Sequence, residues 1–168
     1  MAGRRWGWHE LDDAWAERVV AAARLPARSL VYDLGAGRGA LTRPLLDAGH
    51  DVIAVELHGG RAEALRHRCP TAQVVERDLR DVWFSDRPCH VVANPPFDGV
   101  GSLLRAATDR RHGVRSVTVL VERRVARAWA TTRRPARWQA SVELTVPRRA
   151  LDPAPRVDLD VLRLTRRR

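Results

Sequence analysis

The chain has 168 residues and a formal net charge of +10, with 30 basic side chains against 20 acidic ones. This length allows one domain with a substantial core, and the two cysteines, without CxxC pairs or histidine clusters, indicate neither a disulfide framework nor a metal site. The positive charge favours a polyanionic partner, and the lack of a signal-like or membrane-length apolar run predicts a soluble, cytoplasmic protein, which we expect to be a monomer without metal.

Helical and strand-like segments alternate along most of the chain. Predicted helices cover 12–24, 41–49, 60–68, 101–110 and 123–131, and predicted strands cover 29–34, 51–56, 72–76, 89–93 and 116–121. Such alternation indicates a parallel sheet with helices on both faces. The last two strand-like segments, 138–146 and 157–164, have no helix between them. We therefore expect an α/β fold with a seven-stranded, mostly parallel sheet that closes with an antiparallel hairpin.

A glycine-rich loop, Asp33-Leu34-Gly35-Ala36-Gly37-Arg38-Gly39, follows the first long strand at the carboxyl edge of the sheet. Ligands of doubly wound folds bind at this edge. Glycines such as Gly35 and Gly37 let the backbone approach a ligand, and the following helix presents free N–H groups. The spacing also matches a dinucleotide fingerprint, so the loop alone does not identify the cofactor.

Two carboxylates favour S-adenosylmethionine over a dinucleotide, and a third is placed near the cofactor adenine. Asp33 lies two residues before the first glycine, where it suits the cationic amino end of S-adenosylmethionine better than a pyrophosphate. Glu56 ends the second strand and is placed to accept from both ribose hydroxyls. Asp78, just beyond the third strand, is placed to accept from the adenine amino group of the cofactor, although a helix cap before Leu79 explains it nearly as well.

The sequence Asn94-Pro95-Pro96-Phe97 follows the apolar strand 89–93, so it reaches the same edge as the glycine loop. An adenine N6 amino group is a poor nucleophile because its lone pair is delocalised into the ring. The Asn94 side-chain oxygen and the Pro95 carbonyl can accept its two hydrogens, which localises the lone pair as attack begins. Phe97 can stack on the extruded base. We therefore predict Asn94, Pro95 and Phe97 as catalytic residues of an adenine N6-methyltransferase.

With both motifs in place, the chain resembles the rRNA adenine N6-methyltransferases, namely the erythromycin-resistance (Erm) group and the related rRNA adenine dimethyltransferases. The opening segment 7–12 is similar to the family's Gln-Asn/His-Phe-Leu motif, and 122–126, Glu-Arg-Arg-Val-Ala, is similar to its Gln-Arg-Glu-Val-Ala stretch. The most family-specific segment is 146–158, which resembles Val-Pro-Arg-x-x-Phe-x-Pro-x-Pro-x-Val-Asp. The resemblance runs nearly from end to end.

The resemblance implies a class I S-adenosylmethionine-dependent methyltransferase with a Rossmann-like core. In the family the opening motif helps to enclose the methionine end of the cofactor. The expected cofactor contacts are His9, Leu11, Asp33, Gly35, Gly37, Glu56, Leu57, Asp78, Leu79 and Asn94. We expect one methyltransferase domain, 1–168, in which an N-terminal helical segment, 1–28, packs on the cofactor side of the core, 29–168.

Arginines expected near the catalytic edge are candidate contacts to RNA phosphates. They are Arg38, Arg105, Arg110, Arg111, Arg123, Arg124, Arg133 and Arg134. Three features depart from the family. Pro95 stands where the RNA enzymes usually carry Ile, Leu or Val, and the opening motif is altered at Trp8 and Glu10. The chain also stops after the final strand, so we expect the family's small helical RNA-binding domain to be absent.

From these features we predict methyl transfer to adenine N6 of rRNA, with 23S rRNA favoured and macrolide-type resistance as the implied role. The first alternative is an amino-group methyltransferase that acts on DNA or on a small molecule, which Pro95 and the missing helical domain favour. The second is a non-catalytic cofactor- or RNA-binding remnant, which the altered opening motif favours.

Overall fold

The computed structural model describes residues 8–167, except the side chains of Thr132 and Arg133. In chain order the strands are β1 (Glu10–Leu11), β2 (Leu30–Leu34), β3 (Asp51–Glu56), β4 (Gln73–Glu76), β5 (Cys89–Ala93), β6 (Val114–Glu122), β7 (Trp138–Val146), β8 (Leu151–Asp152) and β9 (Leu159–Arg166). Seven of them form the central sheet in the order β4-β3-β2-β5-β6-β9-β7. Neighbours from β4 to β6 are parallel, and β9 is antiparallel to both β6 and β7. The expected sheet with its antiparallel hairpin is confirmed.

Helices cover both faces of this sheet. They are α1 (Asp13–Ala23), α2 (Thr42–Asp47), α3 (Gly59–Arg68), α4 (Val100–Ala107) and α5 (Arg123–Ala128). Val19, Leu45 and Leu65 from α1, α2 and α3 pack in one buried cluster, and Leu103 and Leu104 from α4 pack in the other. Every residue of β5 is buried, as a parallel strand covered on both faces requires.

Two helices end three residues before the position that the sequence pattern predicts. The helix expected over 101–110 ends at Ala107, because the Thr108 hydroxyl donates to the Leu104 carbonyl at 2.8 Å and satisfies one of its last acceptors. The helix expected over 123–131 is α-helical only to Ala128 and continues as a π-helical turn over Trp129–Arg133. The apolar spacing extends beyond both helices, so it overestimates their length.

The direction of the parallel strands defines two edges of the sheet. The carboxyl edge holds the last residues of β2, β3, β5 and β6, together with the start of β9. The amino edge holds the first residues of the same four strands, the start of β7 and the end of β9. Loops at the carboxyl edge of such sheets form ligand sites.

Only part of the N-terminal segment lies at the carboxyl edge. β1 pairs antiparallel with β8, so residues 8–12 lie at the carboxyl edge. The Asp12 side chain then caps α1 by accepting from the Trp15 N–H at 2.8 Å, and α1 packs against α2, β6, β7 and β9. Only the strand portion of segment 1–28 is therefore on the expected cofactor side, and residues 1–7 lie outside the described part. Within residues 8–167, no helix is long and apolar enough to cross a membrane.

Candidate active site

The loop after β2 holds two glycines in the left-handed region. Gly35 has a φ of 76° and Gly37 a φ of 58°, a conformation that glycine adopts without steric cost. A Cβ atom added to Gly35 would lie 3.4 Å from the Cα of Pro95. The glycine loop and the segment 94–97, which were predicted separately, therefore touch at the carboxyl edge.

Glu56, at the end of β3, is buried and holds the glycine loop in place. Its Oε2 accepts from the Gly37 N–H at 2.8 Å. Its Oε1 accepts from the His58 N–H at 2.8 Å and from the Arg61 guanidinium at 2.8 and 3.0 Å. Both oxygens of the carboxylate that was predicted to accept from the ribose hydroxyls therefore already have protein donors. Ribose hydroxyls that bind Glu56 have to share Oε2 with Gly37 and Oε1 with His58 and Arg61, or replace Arg61 at Oε1.

Trp8 packs against the glycine loop at Gly37. A Cβ atom on Gly37 would lie 2.7 Å from the Trp8 Nε1 atom. The guanidinium carbons of Arg38 and Arg61 lie 5.3 and 5.4 Å from the indole ring centroid, within cation–π range. Trp8 and Arg61 were not predicted as site residues. The altered opening motif was a signal for Trp8, whereas Arg61 reaches the site only because α3 begins beside Glu56.

Asp33 lies on β2 directly beneath the loop and is fully buried. Its Oδ2 accepts from the Thr42 hydroxyl at 2.6 Å, while Oδ1 has no hydrogen-bond partner within the described residues. Burial is the main cause that raises the pKa of Asp33 to about 7, and the charge of Glu56 raises it further. A buried carboxylate oxygen without a partner fits the cationic amino end of S-adenosylmethionine, since a nearby cation favours the ionised form.

A cleft of 480 Å³ opens beside the loop, a volume within the usual range for small-molecule sites. Its lining includes the predicted residues Gly35, Glu56, Leu57, Asp78, Leu79, Asn94 and Phe97. It also includes residues that were not predicted, among them Trp8, Arg61, Arg77 and Arg80. His9, Leu11 and Asp33 line instead an adjoining cavity of 20 Å³, which Asn94 also borders. Leu11 is buried and pairs with Leu151 across β1 and β8.

Asp78 makes the contacts of a helix cap. Its Oδ1 accepts from the Arg80 N–H at 2.9 Å at the start of the 3₁₀ turn Leu79–Asp81, and the Arg80 guanidinium binds both carboxylate oxygens, the shortest distance being 2.5 Å. The hydrogen bonds from the Arg80 side chain lower the pKa of Asp78. The predicted contact with the cofactor adenine therefore has to coexist with this ion pair.

Asn94 and Phe97 border the cleft next to the glycine loop. The Asn94 Nδ2 donates to the His9 carbonyl at 2.8 Å, and no residue in the described part of the chain donates to its Oδ1. The ring centroid of Phe97 lies 5.3 Å from that of His9, with the planes inclined at 32°. A flat base that enters the cleft would therefore meet the Asn94 oxygen and the Phe97 ring together.

An arginine-lined cleft of 500 Å³ adjoins the end of β6 at the carboxyl edge. Arg123 and Arg124 were predicted to bind RNA, and Arg148 and Arg156 join them from the segment 146–158. Arg123 lies 3.4 Å from Asp160 and Arg124 lies 2.6 Å from Glu122. Arg148 and Arg156 follow turn-forming prolines, and sequence reasoning missed them because it assigned that segment only to the family signature. We call this cleft, which is lined by the four arginines, the carboxyl-edge cleft.

Not all predicted RNA contacts lie near the catalytic edge. Arg38 covers Trp8 at that edge, and Arg105 lies on α4 with its guanidinium 3.4 Å from Ser102. The expected placement is wrong for Arg110, Arg111 and Arg134. The first two follow α4 and precede β6, and Arg134 precedes β7, so all three lie at the amino edge. The side chain of Arg133 is outside the described part.

Arg134 belongs to a second basic cleft, of 460 Å³, at the amino edge. Arg24, Arg134, Arg163 and Arg167 line it, and we call it the amino-edge cleft. Two of these side chains bind backbone carbonyls. The Arg134 guanidinium donates to the Trp138 carbonyl at 3.0 Å, and the Arg163 guanidinium donates to the Ala23 carbonyl at 3.0 Å. Within residues 8–167, no group of three or more His, Cys, Asp and Glu side chains has the arrangement of a metal site.

A family model described as ribosomal RNA adenine dimethylase matches residues 9–168. The chain belongs to this family. It is therefore an S-adenosylmethionine-dependent rRNA adenine methyltransferase, as the resemblance implied. The match covers both motifs as well as β1, β8 and the closing hairpin, so the altered opening segment does not place the chain outside the family. It also favours rRNA over the DNA and small-molecule acceptors that were considered as alternatives.

Similar proteins include small-subunit rRNA methyltransferases and an antibiotic-resistance protein. The ribosomal RNA small subunit methyltransferase A of Thermosynechococcus vestitus is 34% identical over 177 residues, which cover 94% of this chain and 67% of that protein. The mycinamicin-resistance protein MyrB of Micromonospora griseorubida is 32% identical over 176 residues, which cover 96% of this chain and 56% of MyrB. The chain thus spans about two thirds of the first relative and little more than half of MyrB.

Solved structures agree with the family. The crystal structure of the 23S rRNA methyltransferase ErmE superposes with a TM-score of 0.82 at 25% identity, and the match covers 93% of this chain and 68% of ErmE. A TehB-like S-adenosylmethionine-dependent methyltransferase from Corynebacterium glutamicum shares the fold, with a TM-score of 0.60 at 18% identity. The expected class I methyltransferase fold is confirmed.

Proposed function

We propose that this family member methylates the N6 atom of an adenine in 23S rRNA and thereby protects ribosomes from macrolide-type antibiotics. The observation that carries the chemistry is the pairing of Asn94 with the His9 carbonyl, which leaves Oδ1 as an acceptor beside Phe97. The 23S target is supported by the similarity to ErmE, and the resistance role is supported by the similarity to MyrB. We further propose one methyltransferase domain, monomeric and cytoplasmic.

The chemistry assigned to these residues needs two acceptors for the target amino group. The Asn94 Oδ1 and the Pro95 carbonyl each accept one N6 hydrogen, so the nitrogen lone pair is localised as the bond forms. Phe97 holds the flipped adenine by stacking. S-adenosylmethionine, when bound, supplies the electrophilic methyl group. After transfer, the surplus proton on N6 leaves to solvent, so no strongly basic side chain is required.

The cofactor is assigned to the 480 Å³ cleft, with Glu56 at the ribose and Leu57 and Leu79 against the adenine. Asp33 would hold the amino end through its free Oδ1 atom. The stacked Trp8 closes the site over Gly37. This arrangement places the methyl donor beside Asn94, because the glycine loop touches the catalytic segment at Pro95.

The carboxyl-edge cleft is assigned to RNA phosphates. Its four arginines face only two lining carboxylates, Glu122 and Asp158. Glu122 ends β6, the strand next to β5, so the cleft lies at the same edge of the sheet as Asn94. Phosphates that flank a flipped adenine would fall within its reach, and the positive charge would make binding depend on salt.

A second candidate target is small-subunit rRNA, which is favoured by the names of several relatives at 32–34% identity. The test is methyl incorporation from labelled S-adenosylmethionine into large-subunit and small-subunit rRNA, each as naked RNA and as ribosomal subunits. We expect label in 23S rRNA. Label confined to small-subunit rRNA would transfer the assignment to the second candidate, and no label in any RNA would support the non-catalytic alternative.

A further inference from the structure

The orientation of the Asn94 amide is not fixed by its position alone. Asn94 is the only asparagine in the chain, and an amide can present either its oxygen or its nitrogen to a given neighbour. The His9 carbonyl carries no hydrogen, so it can pair only with Nδ2, as it does at 2.8 Å. This contact leaves Oδ1 as the atom that can accept from a target amino group.

The His9 side chain contacts the second predicted catalytic ring. Its ring packs on Phe97 with a centroid distance of 5.3 Å. On its other side, Nδ1 lies 2.5 Å from the Pro153 carbonyl, which as an acceptor requires the proton on Nδ1. One residue thus touches Asn94 through its backbone and Phe97 through its ring.

The two family signatures at the ends of the chain fix the place of His9. Glu10 pairs with Asp152 and Leu11 with Leu151, and the Asp12 N–H donates to the Ala150 carbonyl at 2.9 Å. His9 is the next residue before this pairing. It borders the 20 Å³ cavity together with Asn94 and Asp33, and it is not among the residues that line the larger cleft.

We propose that His9 is a positioning residue that sets the polarity of the Asn94 amide and the tilt of Phe97, and that it serves the target base rather than the cofactor. The segment 146–158 acts through it, because Pro153 anchors the ring. This inference rests on the proposed role of Asn94. It differs from the cofactor contact predicted for His9 from the sequence, and the two roles have different consequences.

The first test needs no cofactor or RNA. Selective ¹⁵N labelling of asparagine gives one side-chain amide signal pair, because Asn94 is the only asparagine. In the wild type we expect slow hydrogen exchange for the amide proton bound to the His9 carbonyl. His9→Ala keeps the backbone carbonyl but removes the ring that contacts Phe97 and the Pro153 carbonyl, so the carbonyl loses this anchor and exchange should become faster. The exposed control His67→Ala should leave exchange unchanged. Unchanged exchange in His9→Ala would overturn the proposal.

The second test separates turnover from binding. His9→Ala should lower kcat about 10- to 100-fold, because a small misplacement of a catalytic group has a cost of this size. Its Kd for S-adenosylmethionine, measured by calorimetry, should stay within about twofold of the wild type. His9→Phe, which keeps a ring against Phe97, should recover part of the loss. Raised Kd with normal kcat would make His9 a cofactor ligand instead.

A double-mutant comparison distinguishes this inference from the proposed function. If His9 acts through Asn94, adding His9→Ala to Asn94→Ala should change kcat little further, since residues that act as a unit are not additive. Full additivity would contradict the proposal even if Asn94 is catalytic. Normal turnover in Asn94→Ala alone would instead refute the role of Asn94. Thermal unfolding of each variant checks that the fold is retained.

Discussion

At the carboxyl edge of the sheet, Asp33 and Asn94 each keep a side-chain oxygen without a partner among the described residues, whereas at the amino edge buried or half-buried polar side chains pair with nearby groups. The Oδ1 atom of Asp33 is buried and unpaired within the described residues. At the opposite edge, the His90 Nδ1 lies 2.7 Å from the Ser116 hydroxyl, and the His50 Nδ1 accepts from the Ser29 N–H at 3.2 Å. The polar groups at the two edges lie on or next to the same strands, since Asp33 and Ser29 belong to or flank β2, and Asn94 and His90 flank or belong to β5.

This difference indicates that polar groups at the amino edge stabilise the fold, whereas those at the carboxyl edge bind ligands. A buried polar group without a partner destabilises a fold, so natural proteins pair nearly all of them. The amino edge follows this rule and contributes to folding. The carboxyl edge departs from it where ligand atoms are expected to complete the hydrogen bonds. One other buried atom without a partner in the described part, the Thr118 Oγ1, lies in the middle of β6 and has no evident ligand.

The largest contrast should come from deleting one polar group at each edge. Asn94→Ala should lower kcat by an amount that corresponds to about 2.7–4 kcal/mol, by analogy with the loss of one oxyanion-hole donor, and change cofactor affinity little. Ser116→Ala should leave kcat unchanged and lower the free energy of unfolding by about 1–3 kcal/mol, because the buried His90 loses its partner. Single-turnover methylation and urea unfolding measure the two effects. Equal turnover in the two variants would remove the distinction between the edges.

A smaller effect is expected at Glu56. Glu56→Ala removes charge-assisted hydrogen bonds, so the affinity for S-adenosylmethionine should fall about 10- to 100-fold, from a loss of roughly 1.5–3 kcal/mol. The exposed Glu63 on α3 provides a matched control, and Glu63→Ala should bind the cofactor normally. Calorimetry that shows unchanged affinity in Glu56→Ala would mean that Arg61 keeps this carboxylate from the ribose.

The two edges should also respond to pH in opposite directions. The pKa of Asp33 is raised from 3.8 to about 7, so its contribution to stability is present below 3.8 and is lost as the pH rises through about 7. Burial lowers the pKa of His50 and of His90 below 6.5, so their contribution is present above 6.5 and is lost as the pH falls through their folded pKa values. Asp33→Asn should remove only the loss of stability between pH 3.8 and about 7. A chemical-unfolding series in which Asp33→Asn leaves this loss unchanged would contradict the assignment.

Cofactor binding provides a second readout of Asp33. If the amino end of S-adenosylmethionine lies beside Oδ1, binding below pH 7 releases the Asp33 proton, and affinity should rise with pH up to about 7. Calorimetry in buffers of different ionisation enthalpy detects this release. Asp33→Asn should bind without it, and a wild type that releases no proton would place the amino end elsewhere.

The smallest expected effect concerns the arginines of the two clefts. If four phosphate contacts form at the carboxyl-edge cleft, log affinity for rRNA should fall with log salt at a slope of about −3. Arg148→Glu with Arg156→Glu should reduce that slope to about half, because two contacts are lost. Arg134→Glu with Arg167→Glu is the matched change at the amino edge and should affect the slope less. A larger effect at the amino edge would assign RNA binding to the other side of the sheet.

The motifs at the ends of strands could be predicted from the sequence because they combine a short apolar run with glycines or an Asn-Pro pair. Gly35, Glu56 and Asn94 reach one edge for this reason, and the structure brings them together. Contacts that depend on the exact start of a helix or on the meeting of distant segments could not be predicted. Arg61 reaches Glu56 through the start of α3, and His9 reaches Asn94 only through the pairing of β1 with β8.

The misplaced arginines have a simple topological cause. A helix between two parallel strands returns the chain to the amino edge, so Arg110 and Arg111 after α4 could not stay near the catalytic loop. The same holds for Arg134 after α5, because β7 begins at the amino edge. The sequence shows how many arginines there are and that they are charged. The edge of the sheet at which each one lies depends on the direction of the neighbouring strands, which composition alone does not give.

The most direct test of adenine N6 methylation at the carboxyl edge is the identity of the methylated nucleoside. Wild-type protein, S-adenosylmethionine and large-subunit rRNA would be incubated, and the RNA digested to nucleosides and analysed by mass spectrometry against authentic standards. We expect N6-methylated adenosine that is lost in Asn94→Ala and retained in Ser116→Ala. Methyl groups on another atom of adenosine or on another base, or N6-methyladenosine that persists in Asn94→Ala, would contradict the proposed role of the carboxyl edge.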